Sequence, residues 1–155
     1  MMTLTLWCMQ MENTYNLLKS FLSLLLCALC ALSMFHLHGE ETEPQAYVIY
    51  PKNGDIVSSP FKVIFGLKNF GVVPAGIDLE FAGHHHLFVN SPGIDYSKPI
   101  PADKNHLHFG KGQTETVLDL EPGEYQLQLV LGNYLHIPFN PSIESKIISI
   151  KVKAN

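Results

Sequence analysis

Beyond residue 46 the chain consists of short apolar runs interrupted by Pro, Gly, Asn and Asp, the texture of strands and turns. Tyr47–Tyr50 opens this region and ends at Pro51-Lys52-Asn53-Gly54-Asp55. Phe61–Leu67 alternates, which places Phe61, Val63, Phe65 and Leu67 on one face of a strand. After a Gly71–Gly76 loop, His84–Asn90 forms the next strand and stops at the turn Asn90-Ser91-Pro92-Gly93. A long irregular loop rich in Pro and Asp leads to His106-Leu107-His108-Phe109. Thr114–Leu120 and Tyr125–Leu131 follow, the second with Tyr125, Leu127, Leu129 and Leu131 sharing a face. Ile147–Val152 closes the region with Ile148, Ile150 and Val152 inward. No stretch of it carries a helical period.

About seven short strands in about 110 residues predict an all-β, immunoglobulin-like β-sandwich over residues 47–155. In Leu120-Glu121-Pro122-Gly123-Glu124-Tyr125, a tyrosine follows a Pro-Gly turn and opens an alternating strand, the pattern of a tyrosine corner. A core of this size folds without disulfide staples.

The first 46 residues are patterned differently. Lys19 precedes an apolar run from Phe21 to Leu32, and Ala31-Leu32-Ser33 offers a small-x-small cleavage site. Residues 1–33 therefore predict a signal peptide with a helical apolar segment. The alternative is an uncleaved anchor, although the run falls short of the ~20 residues that span a bilayer. Residues 34–46 end in the polar, acidic Gly39-Glu40-Glu41-Thr42-Glu43-Pro44-Gln45-Ala46 and predict a flexible tether. A periplasmic or secreted domain with no membrane span after cleavage is expected.

Composition narrows the chemistry. The net charge is -4, and all ten basic residues are lysine, with no arginine to fork onto phosphate, so a nucleic-acid partner is not expected. Cys8, Cys27 and Cys30 all lie in the leader, as do Met1, Met2, Met9 and Met11, while Met34 lies in the tether. The domain itself thus has no disulfide and no sulfur ligand, and any metal must be held by imidazole and oxygen.

Imidazole is plentiful. His84-His85-His86, His106-Leu107-His108 and the lone His136 fall on three segments. On a strand, His84 and His86 share one face and His85 takes the other with Leu87 and Val89, the expected core face. His85 then has two uses, a structural histidine bonded to backbone or a ligand. Two histidines at i and i+2 have Cα atoms ~6.7 Å apart, so their rings can converge on one ion. His106 and His108 repeat that geometry, and His136 can add a fifth nitrogen. The expected centre is a surface site of His84, His86, His106, His108 and His136 for Cu(II) or Zn(II), which suit all-imidazole ligation. Asp103 and Glu115 are the candidates for carboxylates that fix tautomers. The competing expectation is that these imidazoles only cross-link loops.

Other chemistry is sparse. There is no Gly-x-Ser-x-Gly elbow. Gly110-Lys111-Gly112-Gln113-Thr114 lacks the spacing and the helix of a phosphate loop. Asn133 and Asn140 look like turn residues.

Several blocks occur in a distinctive order: Gly71-Val72-Val73-Pro74-Ala75-Gly76, Gly83-His84-His85-His86-Leu87, Pro99-Ile100-Pro101-Ala102-Asp103, His106-Leu107-His108-Phe109-Gly110, Gly112-Gln113-Thr114-Glu115 and Leu129-Val130-Leu131-Gly132. Through them, over residues 47–152, the chain resembles the bacterial domain-of-unknown-function family 4399. The resemblance implies an exported bacterial protein and carries no activity. That pattern often has an acidic residue after Leu-Gly and a further histidine after the one matched by His136, where this chain has Asn133 and Phe139.

Three functions stay open at this point. One is a metal-binding protein of the envelope. Another is an interaction module for a protein or glycan in which the histidines are structural. The third is a metal-dependent enzyme, which needs an open coordination position and a pocket beside the histidines.

Overall fold

The computed structural model describes residue 15 and residues 17–25, 43–91 and 93–154. They fall into two units, Met1–Glu41 and Thr42–Asn155. In the first, residues 15 and 17–25 are helical, and the Lys19 ammonium sits 4.3 Å from the centre of the Tyr15 ring. The rest of the expected leader, its cleavage site and most of the tether lie outside the described residues. Among the described residues no helix is long and apolar enough to cross a membrane.

The second unit is all β. Its strands are β1 (Gln45–Tyr50), β2 (Ile56–Ser58), β3 (Phe61–Lys68), β4 (Gly71–Val72), β5 (Ala82–Val89), β6 (His106–His108), β7 (Glu115–Leu118), β8 (Gly123–Gly132) and β9 (Ile148–Lys153). One sheet has the order β1-β3-β7. The other runs β2-β9-β8-β5-β4, with β6 also pairing with β5. The two form a sandwich. Its core joins Phe61, Val63 and Phe65 of β3 to Leu87 and Val89 of β5, Leu127, Leu129 and Leu131 of β8, and Ile150 and Val152 of β9. These are the residues that alternation assigns inward, because a pleated strand sends every second side chain to the same side.

The tyrosine corner is present: the Tyr125 hydroxyl donates to the Glu121 carbonyl at 3.0 Å. Two short strands were not expected. Ile56–Ser58 runs parallel to β9, and Gly71–Val72, expected as loop, runs parallel to the start of β5.

The outer face of the larger sheet differs from the expectation of a surface site. Every residue of β5 is buried, on both faces. Phe88 and Val130 point away from the main core and form a second apolar cluster with Ile100, with Ile94 packed against it. The long loop after β5 therefore folds back over this face, and the Ile100 amide donates to the carbonyl of His136 at 2.8 Å. That loop covers part of the face from which His84 and His86 project, whereas His85 faces the main core.

Candidate metal centre

β5 is the spine of the site. Its register sets His86 opposite His108 of β6 on one side and opposite Val130 of β8 on the other, while His84 faces Gly132. His84 and His86 thus project from the covered outer face, with His108 beside them. His136 arrives from the turn that follows β8. The ring centres of His84, His86, His108 and His136 lie 4.7–5.9 Å from one another. One ligand nitrogen from each of His84, His86 and His108 fits within a span of 4.8 Å.

Glycines make this crowding possible. A Cβ at Gly132 would stand 2.9 Å from His86 Nε2 and 3.4 Å from the His136 Cα, and a Cβ at Gly110 would collide with the His108 ring. Asn133 builds the turn that presents His136. Its side-chain oxygen accepts from the amides of Leu135 and Ile137, and its carbonyl accepts from the His136 amide. His136 itself is left-handed, at φ 66°, a conformation uncommon outside glycine and noteworthy where it aims a functional side chain.

Electrostatics keep His84, His86 and His108 neutral. Burial, followed by the neighbouring His136, His108 and His85, lowers the His84 pKa to about 4. Burial, then His84, His108 and His136, with His106 last, lowers that of His86 to about 3. His108 is lowered as well, by burial and then by His136. Neutral imidazoles keep a free lone pair at neutral pH, which is the state a metal requires. The Nε2 atoms of His84 and His86 are 3.1 Å apart, and the Nδ1 atoms of both are buried without a hydrogen-bond partner. Buried polar atoms are normally satisfied, so such orphans call for a ligand or another explanation.

His106 is placed elsewhere. It lies on the same sheet face as His108, but opposite Phe88, whose ring it meets edge-on at 4.8 Å. Its Nδ1 is 2.9 Å from Asp103 Oδ1 and its Nε2 2.8 Å from Ser91 Oγ. Both ring nitrogens are therefore engaged, and the structure brings together four of the five expected ligands. Asp103 serves His106 and not the cluster, and Glu115 pairs with Lys62 on the other sheet. His85 does turn to the main core, 5.2 Å from the Phe65 ring, and burial lowers its pKa to about 4, with the Gln113 backbone acting in the opposite sense. The Gln113 backbone is thus a polar partner of its ring, although neither nitrogen meets ordinary hydrogen-bond geometry.

Sequence reasoning missed Ser91 as a partner of His106 and the glycines as spacers. The Asn90-Ser91-Pro92-Gly93 turn, Gly110 just after His108 and Gly132 four residues before His136 were the available signals, and none is specific by itself.

Residues 63–153 match the family model described as "Domain of unknown function (DUF4399)". No curated protein matches the chain. Among solved structures the chain is similar to the endo-β-1,4-mannanase from Thermotoga petrophila, at 16% identity and a TM-score of 0.45, over 79% of this chain and 22% of that one. The chain thus spans about a fifth of that enzyme's length.

Proposed function

The chain belongs to the DUF4399 family, and we propose that it binds one divalent transition-metal ion, Cu(II) or Zn(II), through His84, His86 and His108, with His136 as a fourth imidazole. The observation that carries this is the convergence of four imidazoles from three chain segments, with ring centres 4.7–5.9 Å apart and the Nε2 atoms of His84 and His86 facing each other at 3.1 Å. A metal held at 2.0–2.1 Å by two tetrahedral nitrogens sets those nitrogens about 3.3 Å apart. The 3.1 Å between His84 Nε2 and His86 Nε2 is close to that edge. Among the described residues no thiolate or carboxylate joins the four, and neutral nitrogen donors suit these two metals better than Cu(I) or Mg. His108 is exposed, so an ion reaches the cluster from solvent on that side.

We place the protein in the bacterial envelope or outside the cell, on the strength of the leader-like N-terminal pattern. The role there is storage, delivery or protection. The test is metal content and titration of the full chain, purified without a histidine tag. One tightly bound copper or zinc per chain is expected, and it should vanish in the double variant His84→Ala/His86→Ala. Failure of both ions to bind ends this reading.

A second reading, an interaction module, has one observation in its favour. Ile77, Leu79 and Phe81 are exposed along the rim of a cavity of about 510 Å³ that Phe70, Tyr134 and Phe139 also line. Exposed apolar patches of this kind mark contact surfaces.

A further inference from the structure

The bonds of His106 have a directionality that packing does not demand. Asp103 Oδ1 accepts the amide of Asn105 at 2.8 Å and that of His106 at 3.0 Å, as well as His106 Nδ1. These contacts, the Asn105 amide foremost, hold the Asp103 carboxyl below the usual carboxylate range. An ionised carboxylate only accepts, so Nδ1 must carry the imidazole proton and Nε2 the lone pair. That lone pair faces Ser91 Oγ at 2.8 Å, so the serine hydroxyl donates to it. Ser91 Oγ in turn accepts the Gly93 amide at 3.1 Å. The strand end that carries Ser91 is fixed by left-handed Asn90, whose amide and side-chain oxygen bond both backbone groups of Gln126. The His106 ring is buried at 6% exposure, which shields its bond to the serine from water.

A nucleophile, a base in the correct tautomer and a carboxylate that orients it are recognised by geometry and role, not by sequence order. We propose that Ser91, His106 and Asp103 form a nucleophilic serine site that hydrolyses short-chain acyl esters, a function independent of the metal reading. Ser91 Oγ adds to the ester carbonyl while His106 Nε2 takes its proton. The C–O bond to the alcohol then breaks, the alkoxide leaves with that proton, and the acyl group remains on Ser91. Water adds to the acyl-enzyme, giving its proton to His106. The acyl–Oγ bond breaks, the proton returns to Ser91, and a carboxylic acid is released. The Gly93 amide donates to Oγ at 3.1 Å and so holds the hydroxyl in one orientation beside His106. Phe88, Gln126, Gln128 and Ile147 line a shallow depression beside Ser91. At about 20 Å³ it holds little more than a water-sized group, so only the shortest acyl esters fit against Ser91 on this side.

The test treats the full chain with a fluorophosphonate, maps the modified peptide, and follows p-nitrophenyl acetate hydrolysis in the presence of chelator. Modification at Ser91 above every other serine is expected, with hydrolysis and labelling both lost in Ser91→Ala. Asp103→Asn separates catalysis from a structural network. It keeps an oxygen that can cap the turn but removes the charge that stabilises the imidazolium. Labelling should slow by on the order of 100-fold while the melting temperature stays that of the wild type. A wild-type chain unlabelled at Ser91, or an Asp103→Asn chain labelled as fast as wild type, overturns the proposal. Hydrolysis that persists in Ser91→Ala would belong to the exposed histidines and overturn it too.

Discussion

His86 and Phe88 lie two residues apart on β5, and across the ladder stand His108 and His106. The strand, the face and the covering loop are shared, yet the two histidine environments differ. His106 has a carboxylate on one nitrogen and a hydroxyl on the other. His86 has only the nitrogen of His84 on one side and nothing on the other. A buried polar atom left without a partner costs about 1–3 kcal/mol, whereas a satisfied one is near neutral. At 106 the fold itself supplies both partners that a buried histidine needs. It does not explain His84 and His86, which a leucine would serve better unless something binds there. Ligand-binding character follows ring nitrogens that meet only other imidazoles, and not the spacing of histidines.

The sharpest way to break that comparison is to exchange the two environments in a binding assay. His84→Ala/His86→Ala should weaken copper or zinc binding by more than about 100-fold, given that even outer-shell changes cost 10–100-fold. His106→Ala should leave the affinity within about threefold while lowering stability by about 1–3 kcal/mol, because Asp103 and Ser91 lose their partner. Equal losses from both variants, read by titration and urea unfolding, would show that the two sets act as one. A companion variant, His84→Leu/His86→Leu, should remove binding yet leave the metal-free fold at least as stable, since apolar side chains of similar size replace both partners of the buried pair at once.

Acid should separate buried from satisfied histidines next. Burial holds His84 and His85 at about 4 and His86 at about 3, against 6.5 in the unfolded chain. Between these limits the unfolded state binds more protons than the fold, so stability falls as pH falls from 6.5 toward 4. Above 6.5 both states are neutral and this dependence disappears. Each such histidine contributes up to about 1.4 kcal/mol per pH unit at the steepest. His85→Leu, which touches no metal ligand's ring, should flatten the slope by about one such increment. Urea midpoints measured across that window give the answer, and an unchanged slope would contradict a neutral, buried His85.

Geometry is the next lever. Gly132→Ala places a methyl 2.9 Å from His86 Nε2 and so displaces that ring without touching a ligand's chemistry. Metal affinity should drop by about 10-fold, the scale on which supporting positions act. A titration indistinguishable from wild type would mean that His86 is not a ligand through the position it holds here.

How much of this was legible beforehand follows from what local pattern can encode. Alternation located the inward residues of β3, β5, β8 and β9, because each strand's pleat is written in its own sequence. The tyrosine corner was equally local, with donor and acceptor four residues apart. The three-residue β2 was not visible, since its pairing with β9 joins segments about 95 residues apart and its neighbours are turn formers. Nor was the burial of β5 on both faces. That depends on where the loop carrying Ile94 and Ile100 comes to rest, which no strand period records. For the site, period two brought His84, His86 and His108 to one face correctly. It could not remove His106, whose orientation is decided by Ser91, fifteen residues away, and by Asp103.

The smallest effect tests the part of the cluster least tied to a strand. His136 reaches the other rings from a turn that Asn133 holds through its side-chain oxygen and its carbonyl, with the imidazole on a left-handed residue. Asn133→Ala removes two of those bonds, to the amides of Leu135 and Ile137, and leaves every ring in place chemically. Each neutral bond of this kind is worth about 1 kcal/mol, and the partner amide of Leu135 can turn to water, so a stability loss of about 1 kcal/mol is expected. The looser turn should weaken metal binding only a few-fold, and less than Gly132→Ala does, because three strand-borne imidazoles stay fixed. Asn133→Asp keeps the acceptor and adds a negative charge at the rim of the cluster. It should restore the turn and strengthen binding of a dication, most clearly at low salt, where an exposed charge is least screened. If Asn133→Ala and Asn133→Asp titrate alike, the turn neither positions His136 on the ion nor feels its charge, and the centre is the three histidines of β5 and β6 alone.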